Sequence, residues 1–226
     1  MHESKNATRH LTVRDAYDLW ADGYDAQDNP MVMGARQIVR ATLPDFAGRA
    51  VVEFGCGTGR NLETLLRGGA SRVAGVDLSP GMLARARTRV PDAALIEGDF
   101  ATAPVPPAVF DAALFCLALE HVSDLISAFA AARRVLRPDG RVLAVEIHPA
   151  LAAAGTGAHF ERDGRTIRMP TFVHTHTAYE TAARAAGFVT TRVVEWRPHD
   201  FASPSARMLK RGPDAPLLIE LSFVAG

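Results

Sequence analysis

Apolar and polar positions follow two different patterns along this chain. Between residues 49 and 148, short apolar runs alternate with segments whose apolar residues recur at helical spacing. Such alternation predicts a parallel sheet covered by helices on both faces. The predicted strands are Val51–Phe54, Arg72–Val76, Ala93–Glu97, Val109–Phe115 and Arg141–Ile147, and the predicted helices are Thr58–Arg67, Pro80–Arg89 and Ser123–Leu136.

The two flanks of this region have a less regular pattern. Residues 1 to about 10 are predicted to be loose, and amphipathic helices follow over 12–27 and Met31–Leu43. We predict one domain over residues 1–226, with an N-terminal helical lid over 1–45 and a hairpin insertion over 149–176. Beyond His148 we predict a loop over 149–158 and then a hairpin of His159–Arg162 and Arg165–Val173 around Asp163-Gly164. A helix follows that begins with a capping box of Thr177 and Glu180 and ends at Gly187. The last predicted elements are strands Phe188–Trp196 and Leu217–Val224, which a Pro-rich loop connects.

The composition is that of a globular protein, with 48% hydrophobic and 22% charged residues among 226. Lys+Arg and Asp+Glu each number 25, so the formal net charge is zero. This balance gives no electrostatic reason to expect nucleic acid or an anionic membrane as a partner. A small-molecule substrate is therefore favoured, and a homodimer is left open.

Cysteine usage and the N-terminus indicate the compartment. Cys56 and Cys116 lack the spacing of metal ligands or of a disulfide framework, which fits a reducing cytoplasm. The polar start of the chain lacks the apolar core of a signal peptide. No apolar run approaches the ~20 residues that span a bilayer. We therefore expect a cytoplasmic protein with no membrane partner.

The most specific motif spans the first predicted strand and the turn that follows, Val51-Val52-Glu53-Phe54-Gly55-Cys56-Gly57-Thr58-Gly59. Glycines at the end of a strand let the backbone turn tightly and approach a ligand with no Cβ in the way. The dinucleotide fingerprint is G-x-G-x-x-G and places a pyrophosphate on a helix N-terminus. Here the pattern is E-x-G-x-G-x-G. The carboxylate of Glu53 is a poor neighbour for a pyrophosphate and a good one for an ammonium group.

Three further predicted strands end in groups that suit a nucleoside ligand. Asp77 follows the second strand, about 20 residues after the glycine turn, where a carboxylate accepts hydrogen bonds from ribose hydroxyls. Gly98-Asp99-Phe100 follows the third strand and offers an acceptor for an exocyclic amine and a ring to cover a base. The fourth strand leads into Cys116–Val122, a largely apolar loop.

In order and spacing, these four segments resemble the motifs of the class I methyltransferases that use S-adenosylmethionine (SAM). The likeness extends to Phe110–Ala113, to Arg134–Arg141 and, for the lid of small-molecule members, to Tyr17–Asp25. It covers about residues 12–148. The resemblance implies a Rossmann-like seven-stranded sheet of order 3-2-1-4-5-7-6 with an antiparallel seventh strand.

The resemblance also implies a SAM site that releases S-adenosylhomocysteine. Glu53 would help hold the ammonium, Asp77 the ribose and Asp99 the adenine edge, while Cys116 would form part of an apolar wall beside the sulfonium. The hairpin insertion would lie near the acceptor pocket. The cofactor-binding residues implied are Tyr17, Tyr24, Glu53, Gly55, Cys56, Gly57, Asp77, Leu78, Met82, Gly98, Asp99, Phe100 and Cys116.

Methyl transfer from a sulfonium needs mainly alignment, because the donor is already activated. An alcohol, phenol or ammonium acceptor must also lose a proton, and histidine is a natural general base. His148, at the end of the fifth predicted strand, is the preferred candidate, and His121 and His174 follow. A structural role is an alternative for each of them. No metal is expected, because no carboxylate has recognisable ligand spacing relative to these histidines.

Other functions are compatible with parts of this pattern. A dinucleotide oxidoreductase would need the third glycine one residue later and would place Glu53 badly. A SAM-binding protein that transfers no methyl, such as a lyase, a cyclase or a binding module, would share the motifs. Nucleic-acid and protein methyltransferases are disfavoured by the zero net charge, the aromatic lid and the lack of an Asn-Pro-Pro-Tyr-like motif. O-methylation of a small molecule is expected first and N-methylation next.

Overall fold

The computed structural model describes residues 8–226. It confirms the α/β class: a seven-stranded, mostly parallel sheet carries helices on both faces. The strands of this sheet are β2 (Ala50–Phe54), β3 (Arg72–Asp77), β4 (Ala94–Glu97), β5 (Phe110–Cys116), β6 (Leu136–Ile147), β9 (Phe188–Trp196) and β10 (Leu218–Ala225). The α-helices are α1 (Val13–Tyr24), α2 (Pro30–Ala41), α3 (Arg60–Arg67), α4 (Pro80–Arg89), α5 (Leu125–Val135), α6 (Pro149–Ala153) and α7 (His176–Ala185).

The strands of the large sheet lie in the order β4-β3-β2-β5-β6-β10-β9. Counted within this sheet alone, the order is 3-2-1-4-5-7-6, and β10 runs antiparallel to both of its neighbours. The chain moves outward from β2 to β4 and then returns to place β5 on the other side of β2. Ligands bind at such a switch point, outside the carboxyl ends of the strands. The loops after β2 and β5 therefore face the same crevice.

Two apolar cores lie on opposite faces of this sheet. One packs α5 and α7 against the sheet around Phe54, Phe115 and Phe129, and the other packs α2, α3 and α4 around Ile38, Leu62 and Leu83. Burial on both faces explains why the central strands have continuous apolar runs rather than alternating ones.

A second, three-stranded sheet holds the insertion. Its strands are β1 (Thr8–His10), β7 (His159–Arg162) and β8 (Arg165–Arg168), in the order β1-β8-β7. The Asp163-Gly164 turn has positive φ at both residues, 51° and 71°, as a two-residue hairpin of type I′ requires. A third apolar cluster packs this sheet against α1 through Trp20, Phe160 and Ile167.

Several predicted boundaries are wrong for identifiable reasons. Thr8–His10 is a strand rather than loose chain, because it pairs in parallel with β8; the same prediction for residues 1–7 lies outside the described residues. The strand β8 ends at Arg168 rather than at Val173. The loop predicted over 149–158 contains α6, capped by the side chain of His148.

The start of one helix and the start of one strand also differ from the prediction. The Oγ1 of Thr175, not of Thr177, caps α7 by accepting a hydrogen bond from the Ala178 N–H at 3.1 Å. Strand β6 begins at Leu136 rather than at Arg141, because a register irregularity opposite Phe110 accommodates the Pro138–Gly140 segment. In the described part of the chain, no helix combines the length and the apolar character needed to cross a membrane.

Candidate functional site

The glycine turn after β2 forms one wall of a cavity at the switch point. Gly55 and Gly57 have positive φ of 76° and 51°, a region that favours glycine. A Cβ at Gly55 would lie 2.7 Å from the Cβ of Ala118, whereas a Cβ at Gly57 would meet nothing within 4 Å. Gly55 therefore allows the loops after β2 and β5 to approach closely, and Gly57 leaves the backbone open to a ligand.

Asp77, at the end of β3, orders this turn. Its Oδ2 accepts a hydrogen bond from the Gly57 N–H at 2.7 Å, and its Oδ1 accepts one from the Ser79 N–H at 2.9 Å. Burial raises the pKa of Asp77, and these backbone donors oppose the rise. A carboxylate offers about four lone-pair sites. Asp77, which lines the cavity, therefore keeps acceptor capacity for a ligand.

Glu53 lies in β2, immediately before the turn, and is almost completely buried. Its Oε1 accepts a hydrogen bond from the Asn61 Nδ2 at 2.7 Å, while its Oε2 is buried without a partner. Burial raises the pKa of Glu53 to about 8. A buried polar atom without a partner costs free energy of about 1–3 kcal/mol. The orphaned oxygen is therefore the acceptor that a cationic ligand group would satisfy.

The cavity itself encloses about 300 Å³. Phe100 forms part of its wall and is held by edge contacts to Phe54 and Phe115. Of the cofactor residues predicted from the sequence, Glu53 and Cys56 line a small adjoining recess instead, and Gly98 supports the wall by donating its N–H to the Asp77 carbonyl. The other predicted residues that line the cavity are Tyr17, Tyr24, Gly55, Gly57, Asp77, Leu78, Met82, Asp99, Phe100 and Cys116.

Helix α1 closes the cavity through Tyr17 and Tyr24. The hydroxyl of Tyr17 lies 2.8 Å from Nε2 of His121, and Nδ1 of His121 lies 2.8 Å from the carbonyl of Pro170. A carbonyl only accepts, so Nδ1 carries the proton and Nε2 accepts from Tyr17. Burial lowers the pKa of His121 and raises that of Tyr17. His121 therefore lines the cavity as a neutral ring with both nitrogens engaged.

His148 does not face the crevice as the sequence predicted. Its Nδ1 accepts a hydrogen bond from the Ala150 N–H at 3.2 Å, and its Nε2 lies 3.2 Å from Oε1 of Glu195. Burial lowers the pKa of His148. The neutral ring thus carries its proton on Nε2 and caps α6. Its assignment as the base stays a prediction that this geometry does not support.

His174 lies in a different environment again. Its Nε2 donates to the carbonyl of Val122 at 2.8 Å, which ties the segment before α7 to the loop after β5. It lines a small recess together with Glu120, Glu146 and Tyr179. The three candidate histidines are therefore not brought together, and only His121 borders the cavity at the switch point.

One group of side chains in residues 8–226 has the spacing of a metal site. Potential ligand atoms of His148, His176 and Glu195 all lie within 4.8 Å of one another. However, Nδ1 of His148 accepts a backbone hydrogen bond, so its proton is on Nε2, and a metal on Nε2 would displace that proton and break the cap of α6. Arg197 also holds Glu195 at 2.6 Å. The group is explained as an ion-pair and capping network.

A second chamber of about 290 Å³ lies on the other side of the lid. Tyr17, Tyr24 and Leu117 line both chambers and separate them. Glu120 also lines the second chamber. Its side chain is 8% exposed, and this burial raises its pKa to about 7. Its apolar walls come from four separate parts of the chain: Trp20, Met31, Val32, Ile147, Leu151, Met208 and Leu217.

Sequence reasoning missed several residues that build the site. Asp25, at the end of α1, accepts from Thr58 at 2.8 Å and pairs with Arg60 at 2.8 Å and Arg89 at 2.6 Å, which fixes the lid to the glycine turn. Glu146 Oε1 accepts from the backbone of the loop after β5, at Ala118 and Leu119. The signal for Glu146 is an acidic residue in an otherwise apolar strand; Asp25 gives no such signal.

Comparison with known proteins agrees with this architecture. The sequence model of a family described as a methyltransferase domain matches residues 52–144. An uncharacterized methyltransferase of Geobacillus kaustophilus is 33% identical over 132 residues, which are 57% of this chain and 60% of that protein. The chain spans between about two fifths and three fifths of the length of this relative and of similar methyltransferases from Geobacillus thermodenitrificans and Tropheryma whipplei.

Solved structures show the same fold. A SAM-dependent methyltransferase from Mesorhizobium loti is 26% identical, with a TM-score of 0.64 over 83% of this chain and 95% of that one. The [4+2]-cyclase SpnF is 17% identical, with a TM-score of 0.69 over 97% of this chain and 98% of that one. The fold and the cavity at its switch point define a nucleoside-binding α/β protein. The methyltransferase-domain match over residues 52–144 and the structure of 26% identity support the class I SAM-dependent methyltransferase superfamily.

Proposed function

We propose that this protein binds SAM in the chamber at the switch point and transfers its methyl group to a small molecule held in the second chamber. S-adenosylhomocysteine (SAH) is then the product. The observation that carries the proposal is the orphaned Oε2 of Glu53. The amino group of SAM would give this oxygen its missing partner, directly or through a water, and would lower the pKa of Glu53 by placing a positive charge beside it.

Other lining residues fit the remaining parts of SAM. Asp77 keeps acceptor capacity for the two ribose hydroxyls. Asp99 already accepts from the Ala101 N–H at 2.9 Å through Oδ1, which fixes the carboxylate beside Phe100 and leaves Oδ2 for an exocyclic amine. Leu78 and Met82 offer apolar contact to the adenine. Burial raises the pKa of the Cys116 thiol and so keeps it neutral. We propose that Cys116 forms part of the wall beside the sulfonium.

Two chambers divided by a thin aromatic wall suit a methyl transfer. The donor is already activated, so the protein must exclude water and align the acceptor atom with the methyl carbon. Tyr17, Tyr24 and Leu117 border both chambers. A volume of about 290 Å³ fits a small metabolite, and O-methylation is proposed first, with N-methylation next.

A SAM-binding protein that transfers no methyl group is the second candidate. It is favoured by one observation: the fold of the [4+2]-cyclase SpnF covers 97% of this chain. Release of SAH and labelled product from methyl-tritiated SAM distinguishes the two. A cyclase or binding module would bind SAM without consuming it.

Calorimetric titration tests the cofactor site itself. We expect SAH to bind the wild-type protein and NAD not to bind. Asp77→Asn removes a charged acceptor while keeping the shape, and we expect its SAH Kd to rise about 10- to 100-fold. Asp92→Asn, at an exposed position, is the matched control and should leave the Kd within twofold. NAD binding tighter than SAH would contradict the proposal.

A further inference from the structure

Glu120 is a buried carboxylate on the acceptor side of the wall between the chambers. It lines the second chamber, while its neighbour His121 lines the first. Its Oε2 accepts a hydrogen bond from the Ala158 N–H at 3.2 Å. This bond comes from the insertion, so one oxygen is anchored and the carboxyl group is held in place.

In the part of the chain that the structure describes, no lysine or arginine forms an ion pair with this carboxylate. Within the described residues, the ion pair found for Glu120 is with His121, whose Nε2 lies 4.0 Å from Oε1. That nitrogen accepts the proton of the Tyr17 hydroxyl, and burial lowers the pKa of His121. His121 is therefore neutral and supplies no positive charge to Oε1. A buried carboxylate without a counter-charge is expensive unless a ligand or a proton meets it.

The other groups that interact electrostatically with Glu120 are tyrosines and a glutamate. Tyr17 and Tyr24 face Glu120 from α1, Glu146 from β6 and Tyr179 from α7, and each interacts electrostatically with it. His174 lines the same small recess. Burial raises the pKa of Glu120 to about 7, opposed by the Ala158 N–H. A group that is half ionised near neutral pH is suited to accept a proton during a reaction.

The walls of the second chamber restrict the acceptor. The volume of about 290 Å³ fits a small molecule, and the apolar part of the lining, which includes Met31, Ile147 and Leu151, offers contact to an apolar body. Among the described residues, the charged side chains of the lining are Arg207 and Lys210, which are cationic, and Asp28 and Glu120, which are anionic. These charges balance, so a neutral acceptor needs no further counter-charge in the chamber. A neutral, weakly acidic hydroxyl group can donate a hydrogen bond to Oε1 of Glu120.

We propose that Glu120 accepts the proton of the acceptor, and that the acceptor is a compact apolar molecule with a phenolic or enolic hydroxyl group. This inference rests on the proposed function. The hydroxyl oxygen forms a bond to the methyl carbon as the carbon–sulfur bond breaks, and that electron pair stays on sulfur. The hydroxyl proton passes to a carboxylate oxygen of Glu120 and later to water.

A binding experiment tests the proton link without turnover. The probe is 4-butylphenol, titrated into the SAH complex at pH 6 and pH 8. A carboxyl with a pKa of about 7 is ionised to ~10% at the lower pH and ~90% at the higher. We therefore expect the Kd of 4-butylphenol to be about tenfold lower at pH 8. In Glu120→Gln, which keeps an acceptor for Ala158, the Kd should change less than twofold between the two pH values.

Each outcome decides the inference. If SAH binds but 4-butylphenol does not, or if Glu120→Gln shows the wild-type pH dependence, the inference is wrong while the cofactor site stands. If SAH itself does not bind, the proposed function fails and this inference fails with it. The SAH Kd, measured first for both proteins, separates the two cases.

A kinetic experiment adds the proton transfer itself. With methyl-tritiated SAM, we expect transfer to 4-butylphenol in preference to 4-butylbenzylamine. Glu120→Gln should lower kcat about 100-fold with a smaller change in KM, and Glu120→Asp should recover part of the rate and the rising limb of the pH profile. Glu161→Gln, at an exposed position in β7, is the control. Transfer to the amine alone would overturn the inference.

Discussion

The two chambers on either side of Tyr17 and Tyr24 are built from different materials. The chamber at the switch point, which is the proposed donor chamber, is made largely of strand ends and backbone: Gly55 and Gly57, with Asp77 bonded to main-chain N–H groups. The second chamber, which is the proposed acceptor chamber, is lined by side chains from the lid, the insertion, α6 and the Pro-rich loop. Backbone geometry tolerates few residue types at a given position, whereas an apolar wall tolerates many. The donor chamber should therefore respond sharply to single substitutions and the acceptor chamber should change its specificity.

The largest effect is expected at Gly55. In Gly55→Ala the new Cβ would lie 2.7 Å from Ala118, at a φ of 76°. The loops after β2 and β5 must then separate, so we expect SAH affinity to fall at least about 100-fold, or about 2.7 kcal/mol. Gly48→Ala has a similar φ of 73° with nothing within 4 Å. It should lower the Tm by a few degrees and leave the SAH Kd unchanged. Equal affinity losses in both variants would show that SAH binding does not depend on the close approach of the two loops.

A substitution in the acceptor chamber should have the opposite signature. Met31 is half-buried and lines the second chamber but not the first. In Met31→Trp the larger side chain fills part of the chamber, so we expect 4-butylphenol binding to weaken about tenfold or more while the SAH Kd stays within twofold. Parallel titrations of the two ligands measure this. A similar loss for both ligands would show that the chambers are not independent.

Because several carboxyl groups are buried, we expect the protein without ligand to lose stability as the pH rises. Burial raises the pKa of Glu53 and Glu146 to about 8 and that of Glu120 to about 7. The folded state thus holds these protons more tightly than the unfolded chain, whose glutamates have their ordinary pKa of 4.5. The resulting stabilisation is complete below pH 4.5 and is lost as the pH rises through about 8.

We expect the Tm of the free protein to fall by roughly 5 °C or more between pH 6 and pH 9, since ~1 kcal/mol corresponds to ~2–4 °C at this size. Glu53→Gln should reduce this fall, because an amide carries no charge to desolvate. The same variant should bind SAH more weakly, so this one substitution should raise the stability at high pH and lower the affinity for the cofactor product. Differential scanning fluorimetry across this pH range measures the first effect. A pH-independent wild-type Tm would contradict it.

The smallest effect is expected at the wall itself. Tyr17→Phe keeps the ring, which stacks on Trp20 at 5.7 Å, and removes the hydroxyl that bonds His121. We expect the free energy of unfolding to fall by about 1 kcal/mol and the SAH Kd to change only a few fold. Tyr17→Ala, which opens the wall, should cost more on both measures. Equal effects of the two variants would show that the hydroxyl, not the ring, separates the chambers.

The parts of the fold that the sequence predicted well are the locally encoded ones. Helix α4 has the predicted bounds, because Ser79 caps it and Pro80 opens it. Strand β9 also has its predicted bounds. The errors occur where a distant partner decides: Thr8–His10 becomes a strand only by pairing with β8, and β6 extends to Leu136 because Phe110 lies opposite. Such pairings join residues far apart in the sequence and leave no local pattern.

The candidate site divides along the same line. Glu53, the glycines, Asp77 and Asp99 each directly precede or follow a strand of a parallel sheet, so their common location followed from the order of the strands. The positions of the histidine side chains could not be predicted in this way, because the direction of a side chain in a loop depends on the hydrogen bonds that it makes. His148 caps α6 instead of entering the crevice.

The class of the sheet and the edge at which a nucleoside would bind were predictable from the sequence, because both follow from apolar periodicity and from glycine positions along a continuous stretch. The second chamber and the position of Glu120 in its lining became visible in the folded chain. Tyr17, Ala158 and Leu217, which line that chamber, come from distant parts of the chain, so no local pattern brings them together. The pKa of Glu120 is raised because the folded chain buries its carboxyl group.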